Sequence, residues 1–384
     1  MYQRKLNLKI LVKNKSLFLF GPRSTGKTTL LIEQFKKSQI INLLRSEVFL
    51  RLSSNPSEIR DLIRKIIHDH DDEKFIIIDE IQKLPILLDE VHDLIESEKI
   101  KFILTGSSAR KLKRSGVNLL AGRAWQTHLF PLSFSEITDF NLEKYLLIGG
   151  LPQVYTSDFP NEELDAYVNT YLKEEIKEEA LVQNIIQFSR FLRIASLLNT
   201  QQINYSSIAS DSSVPATTVK AYFEILDETF LGYVLHPWKE SKKRKSIASG
   251  KFYFFDLGVA HFMSGLTVLN RNSDDFGKAF EHFIANELRA YLSYFRIKKE
   301  LTFWRTQSKY EVDFIIGNDI GIEVKATTNV TLKHLKGLNA LKEENIISKF
   351  YIVSFDKVER ITENEITVVY WESFLKDLWS QKIC

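Results

Sequence analysis

The chain has 384 residues, 44% hydrophobic and 26% charged, which excludes disordered, collagenous and fibrous proteins. This length predicts roughly two to four folding units. A formal net charge of +3 does not by itself indicate a nucleic-acid binder, and one cysteine, Cys384, excludes an internal disulfide framework. No apolar run approaches the about 20 residues of a spanning helix, so no membrane partner is expected. Since no secretion signal opens the sequence, we expect a cytoplasmic protein.

Short apolar runs alternate with helical patterns in the first third of the chain. This alternation predicts a parallel α/β sheet with helices on both faces. From about residue 131 to 198 the pattern becomes helical, which predicts a helical lid. The apolar runs lie at 16–20, 39–43, 75–78 and 101–104, and the helical patterns at 27–37, 56–68 and 85–97.

The strongest motif follows the first apolar run and reads GPRSTGKT, which fits GxxxxGK[ST] between a strand and a helix. Such a loop points backbone N–H groups at a phosphate chain, its lysine reaches the β- and γ-phosphates, and its hydroxyl binds magnesium. We therefore expect ATP and Mg²⁺ as cofactors. The predicted nucleotide-binding residues are Gly21, Pro22, Arg23, Ser24, Thr25, Gly26, Lys27, Thr28 and Thr29.

Two acids, Asp79 and Glu80, follow the third apolar run, at the edge where parallel strands present a ligand. We expect Asp79 to hold magnesium together with Thr28, and Glu80 to polarise the attacking water. A strand capped by a solvated turn has the same pattern. The phosphate loop upstream favours the catalytic interpretation.

The next run ends in small polar residues, and we expect Ser107 to act as a sensor between the γ-phosphate and the water, with Thr105 as the alternative. These are also ordinary turn residues. Arg123 is the candidate trans-acting finger for a neighbouring subunit's γ-phosphate, and Arg110 and Arg114 are the competing residues.

Residues 199–238 have the pattern of a winged helix-turn-helix. Pro215 stands where a second helix would begin, and residues 230–235 are the candidate wing strand. A basic run, residues 242–245, follows in a stretch rich in Ser and Gly. Such a run usually marks a solvated linker, and contact with DNA phosphates is the other interpretation.

Asp313 and Glu323 lie ten residues apart on two predicted strands joined by a turn, so a hairpin brings both carboxylates together. Two carboxylates make an oxygen-rich magnesium site, Lys325 is placed to activate water, and Glu281 from a helix completes the metal ligands. The pattern resembles the D…ExK core of restriction-type nucleases. A half-buried edge strand would show the same alternation of apolar and charged residues.

Several segments together resemble prokaryotic AAA+ ATPases that carry a C-terminal domain of uncharacterised function: FIIIDEIQKLP, FILTGSSA, LAGR, PLSFSEI, LLIGGLPQVY, GKAFEHFIANELRA and EVDFIIGNDIGIEVKA. This resemblance implies a ring, as in a hexamer, and a winged-helix plus restriction-endonuclease-like tail. The domains expected are 1–130 for the ATPase core, 131–198 for the lid, 199–238 for the winged helix and 239–384 for the basic linker and nuclease-like domain.

Three functions are consistent with these patterns. The first is an ATP-driven DNA-processing motor with a DNA-binding, possibly Mg-dependent nuclease domain that acts on duplex or branched DNA. The second is a non-cleaving remodeller, such as a Holliday-junction branch-migration motor. The third is a nucleotide-gated switch that binds a protein partner.

Overall fold

The computed structural model describes residues 2–35, 40–68, 75–110, 112, 120, 122–172 and 185–384. The chain divides into two compact units. The first comprises Met1–Phe130 with Ile225–Leu231, and the second comprises Pro131–Glu224 with Gly232–Cys384. Each unit is described by itself.

The first unit is built on a five-stranded sheet in the order β2-β3-β4-β1-β5, and every neighbouring pair is parallel. The predicted parallel sheet is therefore confirmed. Because all strands run the same way, their carboxyl ends meet at one edge, where open α/β sheets bind ligands. The strands are β1 (Ser16–Phe20), β2 (Ile40–Asn42), β3 (Phe75–Asp79), β4 (Lys101–Gly106) and β5 (Ala124–His128).

The helices of this unit cover the sheet with apolar faces at the expected 3.6-residue spacing. In the fifth helix, for example, Leu87, Leu88, Val91 and Leu94 are all fully buried. Side chains from these helices and from β3 and β4 form one hydrophobic cluster. The second helix ends earlier than predicted, at Gln34. The helices are α1 (Leu8–Asn14), α2 (Lys27–Gln34), α3 (Ser46–Ser54), α4 (Glu58–His68) and α5 (Leu87–Ser97), and a 3₁₀ turn spans Ile81–Lys83.

The second unit begins with short helices in the region predicted to form a lid. A capping box at Ser133 opens a 3₁₀ turn, Phe134–Glu136, and Asn141 caps the helix after it. Residues 173–184 of the predicted lid lie outside the described residues. The helices are α6 (Leu142–Ile148), α7 (Pro152–Thr156), α8 (Pro160–Asp165), a π-helical segment (Ala166–Leu172) and α9 (Ile185–Leu197).

Two further helices and a hairpin occupy the predicted winged-helix region. These are α10 (Tyr205–Ser212), α11 (Ala216–Glu228) and the antiparallel strands β6 (Gly232–Leu235) and β7 (Lys251–Phe254). Ala216, Thr217 and Lys220 are exposed near the start of α11. The assignment as a winged helix stays a prediction.

The rest of the second unit centres on a six-stranded mixed sheet in the order β12-β13-β11-β10-β9-β8. Helices cover it, and the longest, Asp274–Tyr294, is capped by Ser273 and buries most of its apolar side chains. The strands are β8 (Leu301–Arg305), β9 (Glu311–Ile316), β10 (Ile320–Lys325), β11 (Lys349–Ser354), β12 (Arg360–Ile361) and β13 (Ile366–Tyr370), and the helices are α12 (Leu257–Ser264), α13 (Asp274–Tyr294), α14 (Lys336–Lys342) and α15 (Trp371–Trp379).

The lysines of the basic run, Lys242, Lys243 and Lys245, are exposed as expected of a solvated run, but the backbone that carries them is not a free linker. Its segment, residues 236–247, follows the edge strand β8: the backbone N–H of Trp238 donates to the carbonyl of Phe303, and that of Ile247 donates to the carbonyl of Arg305. The carboxylate of Glu344 accepts N–H bonds from Lys242 and Lys243 at 2.7 and 2.8 Å. An unpaired strand edge needs hydrogen-bond partners, and this segment supplies them.

None of the described helices combines the length and the apolarity that crossing a lipid bilayer requires.

Candidate functional site

The phosphate loop joins the carboxyl end of β1 to α2. Gly21 has a φ of 153°, and a Cβ there would lie 2.5 Å from the carbonyl oxygen of Leu129, so only glycine fits. Gly26, at a φ of 93°, opens α2 in the left-handed region. The buried Lys27 Nζ donates to the carbonyls of Gly21 and Pro22 at 2.7 and 2.9 Å. The loop therefore has the curvature and the central ammonium that a phosphate chain needs.

The remaining residues of the loop are arranged around this core. The Thr25 hydroxyl is buried and donates to the Pro22 carbonyl at 2.8 Å, so it stabilises the turn. Arg23 and Ser24 are half-buried, and Thr29 is exposed on α2. Arg4, which the motif search missed, donates to the carbonyl of Thr25 at 2.9 Å.

Asp79 connects three elements at the carboxyl edge of the sheet. Its carboxylate accepts hydrogen bonds from the Thr28 hydroxyl at 3.0 Å, from the Thr105 hydroxyl at 2.5 Å and from the Asn42 amide at 3.4 Å. The side chain is fully buried, and burial raises its pKa while the two hydroxyl bonds lower it. The structure thus brings Thr28 and Asp79 together, as the sequence predicted for a magnesium site.

This group of side chains fits Mg²⁺. All its donors to a metal are oxygens, which Mg²⁺ prefers, and the described hydrogen-bond partners of the buried carboxylate are neutral. Thr28 and Asp79 would hold the ion, and the ion would supply positive charge beside the phosphates.

Glu80 and Ser107 lie close together, and a residue that sequence reasoning missed connects them. The Gln82 amide nitrogen donates to Glu80 Oε2 at 2.5 Å and to Ser107 Oγ at 3.0 Å. The Glu80 N–H donates to Thr105 Oγ1 at 2.9 Å, and Glu80 has a left-handed φ of 64°. Gln82 Oε1 is buried and has no hydrogen-bond partner among the described residues.

The two candidate arginines that the structure describes pair with acids of their own unit. Arg123 Nε forms an ion pair with Glu96, and Arg110 forms one with Glu228. Arg114 lies outside the described residues. The arrangement does not select among the three, so the finger role of Arg123 stays a prediction.

In the second unit, the predicted hairpin of β9 and β10 is present. The strands are antiparallel, and their pairing ends with Ile322 opposite Phe314, the residues next to Glu323 and Asp313. The Val324 N–H donates to Asp313 Oδ2 at 2.9 Å, and Lys325 Nζ lies 2.6 Å from Glu323 Oε1. Since β10 lies between β9 and β11, the interpretation of β10 as a half-buried edge strand is wrong.

A lysine that sequence reasoning missed completes this cluster. Lys251 Nζ lies 3.0 Å from Glu281 Oε1, 2.7 Å from Glu311 Oε1 and 3.7 Å from Asp313 Oδ1. The Tyr253 hydroxyl also donates to Glu281 at 2.6 Å. We name these side chains, together with Glu323, Lys325 and Arg305, the second-unit carboxylate cluster.

The charges of this cluster perturb one another strongly. Burial, followed by the charge of Asp313, raises the pKa of Glu323 to about 8. Burial also raises the pKa of Glu281, although Lys251 opposes this. For Lys251, burial disfavours the charged form, but the carboxylates of Glu281, Asp313 and Glu311 outweigh burial and raise the pKa.

The second-unit carboxylate cluster, as folded, does not fit a divalent ion. Within the described ranges, no three His, Cys, Asp or Glu side chains are arranged as a metal site. The oxygens of Glu281 and Asp313 that face the cluster contact an ammonium instead. The metal-binding roles of Glu281, Asp313 and Glu323 and the catalytic role of Lys325 stay predictions, and we derive no chemical step through a metal here.

Comparison with known proteins divides the chain into three matched segments. Residues 139–270 and 276–374 match two families described as domains of unknown function, DUF8612 and DUF4143. An uncharacterized protein of Methanocaldococcus jannaschii is 25% identical, over 92% of this chain and 86% of the relative. An uncharacterized protein of Haemophilus influenzae is 24% identical, over 86% of this chain and 88% of the relative.

A further uncharacterized protein of M. jannaschii is 23% identical, over 94% of this chain and 85% of the relative. The likeness to all three thus extends through both units. Residues 13–138, which contain the phosphate loop, Asp79 and Glu80, match the family model described as an AAA domain. This segment is similar to that family, and the similarity supports an AAA-type ATPase.

Proposed function

We propose that this chain hydrolyses ATP at the phosphate-loop site and couples hydrolysis to DNA that the second unit binds. The ATPase part rests on one observation. The carboxylate of Asp79 accepts hydrogen bonds from Thr28, at the start of the loop helix, and from Thr105, near the end of β4. In the proposed mechanism, the loop N–H groups and Lys27 bind the phosphates. Thr28 and Asp79 would hold Mg²⁺, which would supply positive charge beside the phosphates.

The hydrolytic step depends on the contacts of Glu80. The residue is 8% exposed, and its carboxylate accepts a hydrogen bond from Gln82. This bond orients the carboxylate that would receive a proton from water. Ser107 Oγ, just after β4, accepts a hydrogen bond from the same Gln82 amide. These side chains therefore form the proposed water-activating group of the site.

The DNA part of the proposal is supported by exposed lysines of the basic run, whose backbone is held in place. Lys242, Lys243 and Lys245 are exposed, while Glu344 and β8 hold the backbone between and beside them. Lysines presented from an ordered segment bind phosphates at a lower entropic cost than lysines on a mobile tail. The exposed polar start of α11, residues 216–220, offers a second contact surface.

The second-unit carboxylate cluster argues against DNA cleavage, because an ammonium contacts the acids that a nuclease would use for its metal. We therefore propose a non-cleaving remodeller, and Mg-dependent nicking is the alternative outcome of the test. Nicking by the wild type that is absent from Asp313→Ala would establish the nuclease instead.

Ring assembly is part of the proposal, because a trans-acting finger needs a neighbouring subunit. Arg123 is the proposed finger. Sedimentation with and without ATP tests ring assembly. ATP turnover of mixtures of Arg123→Ala with Glu80→Gln tests the finger. Activity restored in the mixture supports a shared site, and inactive mixtures exclude one.

The decisive experiment measures ATP turnover with no DNA, with duplex DNA and with four-way DNA. We expect stimulation by DNA, and we expect Glu80→Gln to bind ATP but lose turnover. If turnover is present but indifferent to every DNA, the coupling is wrong and the ATPase assignment stands. That result would favour the nucleotide-gated switch with a protein partner.

DNA contact is tested by fluorescence anisotropy of a labelled duplex at several salt concentrations. Replacing Lys242, Lys243 and Lys245 with Ala should weaken binding and reduce the salt slope by up to about 3, since each phosphate contact contributes roughly 0.9. The matched control replaces three exposed lysines elsewhere, Lys9, Lys13 and Lys333. Equal losses in both triple variants would contradict the proposed surface.

A further inference from the structure

Lys251 is the first residue of β7, and its ammonium group is enclosed by acids from two other elements. The residue is only 3% exposed. Its Nζ contacts Glu281 of α13 and Glu311 of β9 at hydrogen-bond distance, 3.0 and 2.7 Å, and lies 3.7 Å from Asp313 of β9. The ammonium also lies 5.5 Å from the centre of the Phe303 ring.

A buried ammonium is stable only where opposite charges and hydrogen-bond acceptors surround it, and this position supplies both. The distances are those of ammonium–carboxylate bonds. Oxygens that bind a divalent ion instead lie at about 2.0–2.6 Å from the metal. A divalent ion held by the same oxygens would lie a few ångströms from the ammonium, and repulsion between like charges is strong in a buried site.

The rest of the cluster is compensated in the same way. Lys325 contacts Glu323 at 2.6 Å and lies 3.8 Å from Asp313, and Arg305 contacts Glu311 at 3.1 Å. Three cations therefore contact four carboxyl groups.

Glu323 is part of the same compensation. Its Oε1 contacts Lys325, while its Oε2 is buried and has no hydrogen-bond partner among the described residues. Each of the four carboxyl groups therefore contacts at least one of the three cations.

We propose that Lys251 is the resident cation of the second-unit carboxylate cluster: its ammonium group takes the position of a metal ion among Glu281, Glu311 and Asp313. The cluster then links β7 to α13 and β9 and binds no divalent ion while Lys251 is in place. This proposal concerns the second unit alone and is independent of the outcome at the phosphate-loop site.

The test measures Mn²⁺ binding to the nucleotide-free full-length chain, by titration calorimetry and by the electron paramagnetic resonance signal of free Mn²⁺. We expect the wild type and Asp313→Asn to bind the same amount of Mn²⁺. Lys251→Met removes the ammonium and keeps the length of the side chain, so it should gain one Mn²⁺ per chain. The double variant Lys251→Met/Asp313→Asn should lose that gain.

The matched control is Lys298→Met, which removes an exposed lysine of the same unit and should gain no Mn²⁺. A wild-type Mn²⁺ site that Asp313→Asn abolishes would overturn the proposal. So would a folded Lys251→Met chain, checked by circular dichroism, that gains no Mn²⁺.

If Lys251→Met does not fold, two measurements still decide the question. The wild-type comparison with Asp313→Asn needs no change at Lys251. Lys251→Arg keeps a positive charge in the cluster and should fold and bind no more Mn²⁺ than the wild type. A gain of Mn²⁺ by Lys251→Arg would contradict the resident-cation role.

Discussion

The two acidic sites of this chain differ in what surrounds their carboxylates. In the first unit, neutral hydroxyl and amide groups of Thr28, Thr105 and Asn42 donate to Asp79. In the second unit, ammonium groups of Lys251 and Lys325 contact the acids. The first site is buried at the end of a sheet and the second in the middle of one. Only in the first are the described hydrogen-bond partners of the acid uncharged, so that its negative charge is open to a bound cation.

This difference teaches that carboxylate spacing alone does not indicate a metal site. Neutral donors orient a carboxylate and leave its charge to be balanced by an ion. A lysine balances the charge within the fold. The first arrangement suits a site that binds and releases a ligand, and the second suits a permanent link between elements. The following experiments test this contrast, from the largest expected effect to the smallest.

Removal of the ammonium from the second-unit cluster should have the largest effect. Without added metal, Lys251→Met should lower the free energy of unfolding by about 3–5 kcal/mol, because it leaves buried carboxylates without their partner. Denaturant titration followed by circular dichroism measures this loss. Lys298→Met should change stability by no more than about 0.5 kcal/mol. Equal stabilities of the two variants would remove the contrast between the sites.

Loss of the loop ammonium should affect turnover and not folding. Lys27→Ala should reduce ATP turnover by about 10²–10³-fold, since a buried donor to the phosphates is lost. Steady-state phosphate release measures the rate, and Lys9→Ala, on the exposed face of α1, serves as the control. A Lys27→Ala chain that retains normal turnover would refute the ATPase assignment.

Gln82 should have a smaller effect, because it acts through Glu80. Gln82→Ala should lower kcat about 10-fold, or about 1.4 kcal/mol, and leave KM for ATP nearly unchanged. Gln126→Ala, at an exposed position on β5, is the control. If both variants behave like the wild type, Gln82 does not position Glu80.

The last prediction concerns how folding stability depends on pH through Glu287. Glu287 is buried and accepts hydrogen bonds from the Phe134 N–H and from Trp379 Nε1, and burial raises its pKa to about 8. The folded state therefore holds a proton that the unfolded state has released. The contribution of Glu287 to stability is complete below about pH 4.5 and is lost as pH rises through about 8.

Glu287→Gln should consequently cost about 1 kcal/mol at pH 5, where it loses one acceptor. The wild type should lose this advantage, and become the less stable of the two, by pH 9. Thermal unfolding at both values measures this, and the exposed Glu300→Gln serves as the control. A wild-type advantage that grows with pH would show that Glu287 is ionised in the folded chain.

The sequence was sufficient to predict those features that depend on residues close together in the chain. The phosphate loop is a continuous motif, and Asp79, Glu80 and Ser107 each follow an apolar strand, so parallel topology places them at one edge. The hairpin of Asp313 and Glu323 was also predictable, because a short turn fixes the register of its strands.

Other features depend on contacts between residues far apart in the chain. The role of Lys251 was missed, since its partners are 30 to 62 positions away and on other elements. Gln82 was missed because its role depends on Ser107, from a different strand. The basic run was predicted as a linker because composition does not reveal that its backbone pairs with β8.

That pairing has a consequence for how copies of the chain can meet. The segment beside β8 includes a bridge between Ser246 and Thr306, so this side of the six-stranded sheet does not offer a free ladder of N–H and C=O groups. The opposite side ends in β12, only two residues long. Strand-by-strand joining of second units, the usual route to fibrous aggregates, is therefore disfavoured at both margins.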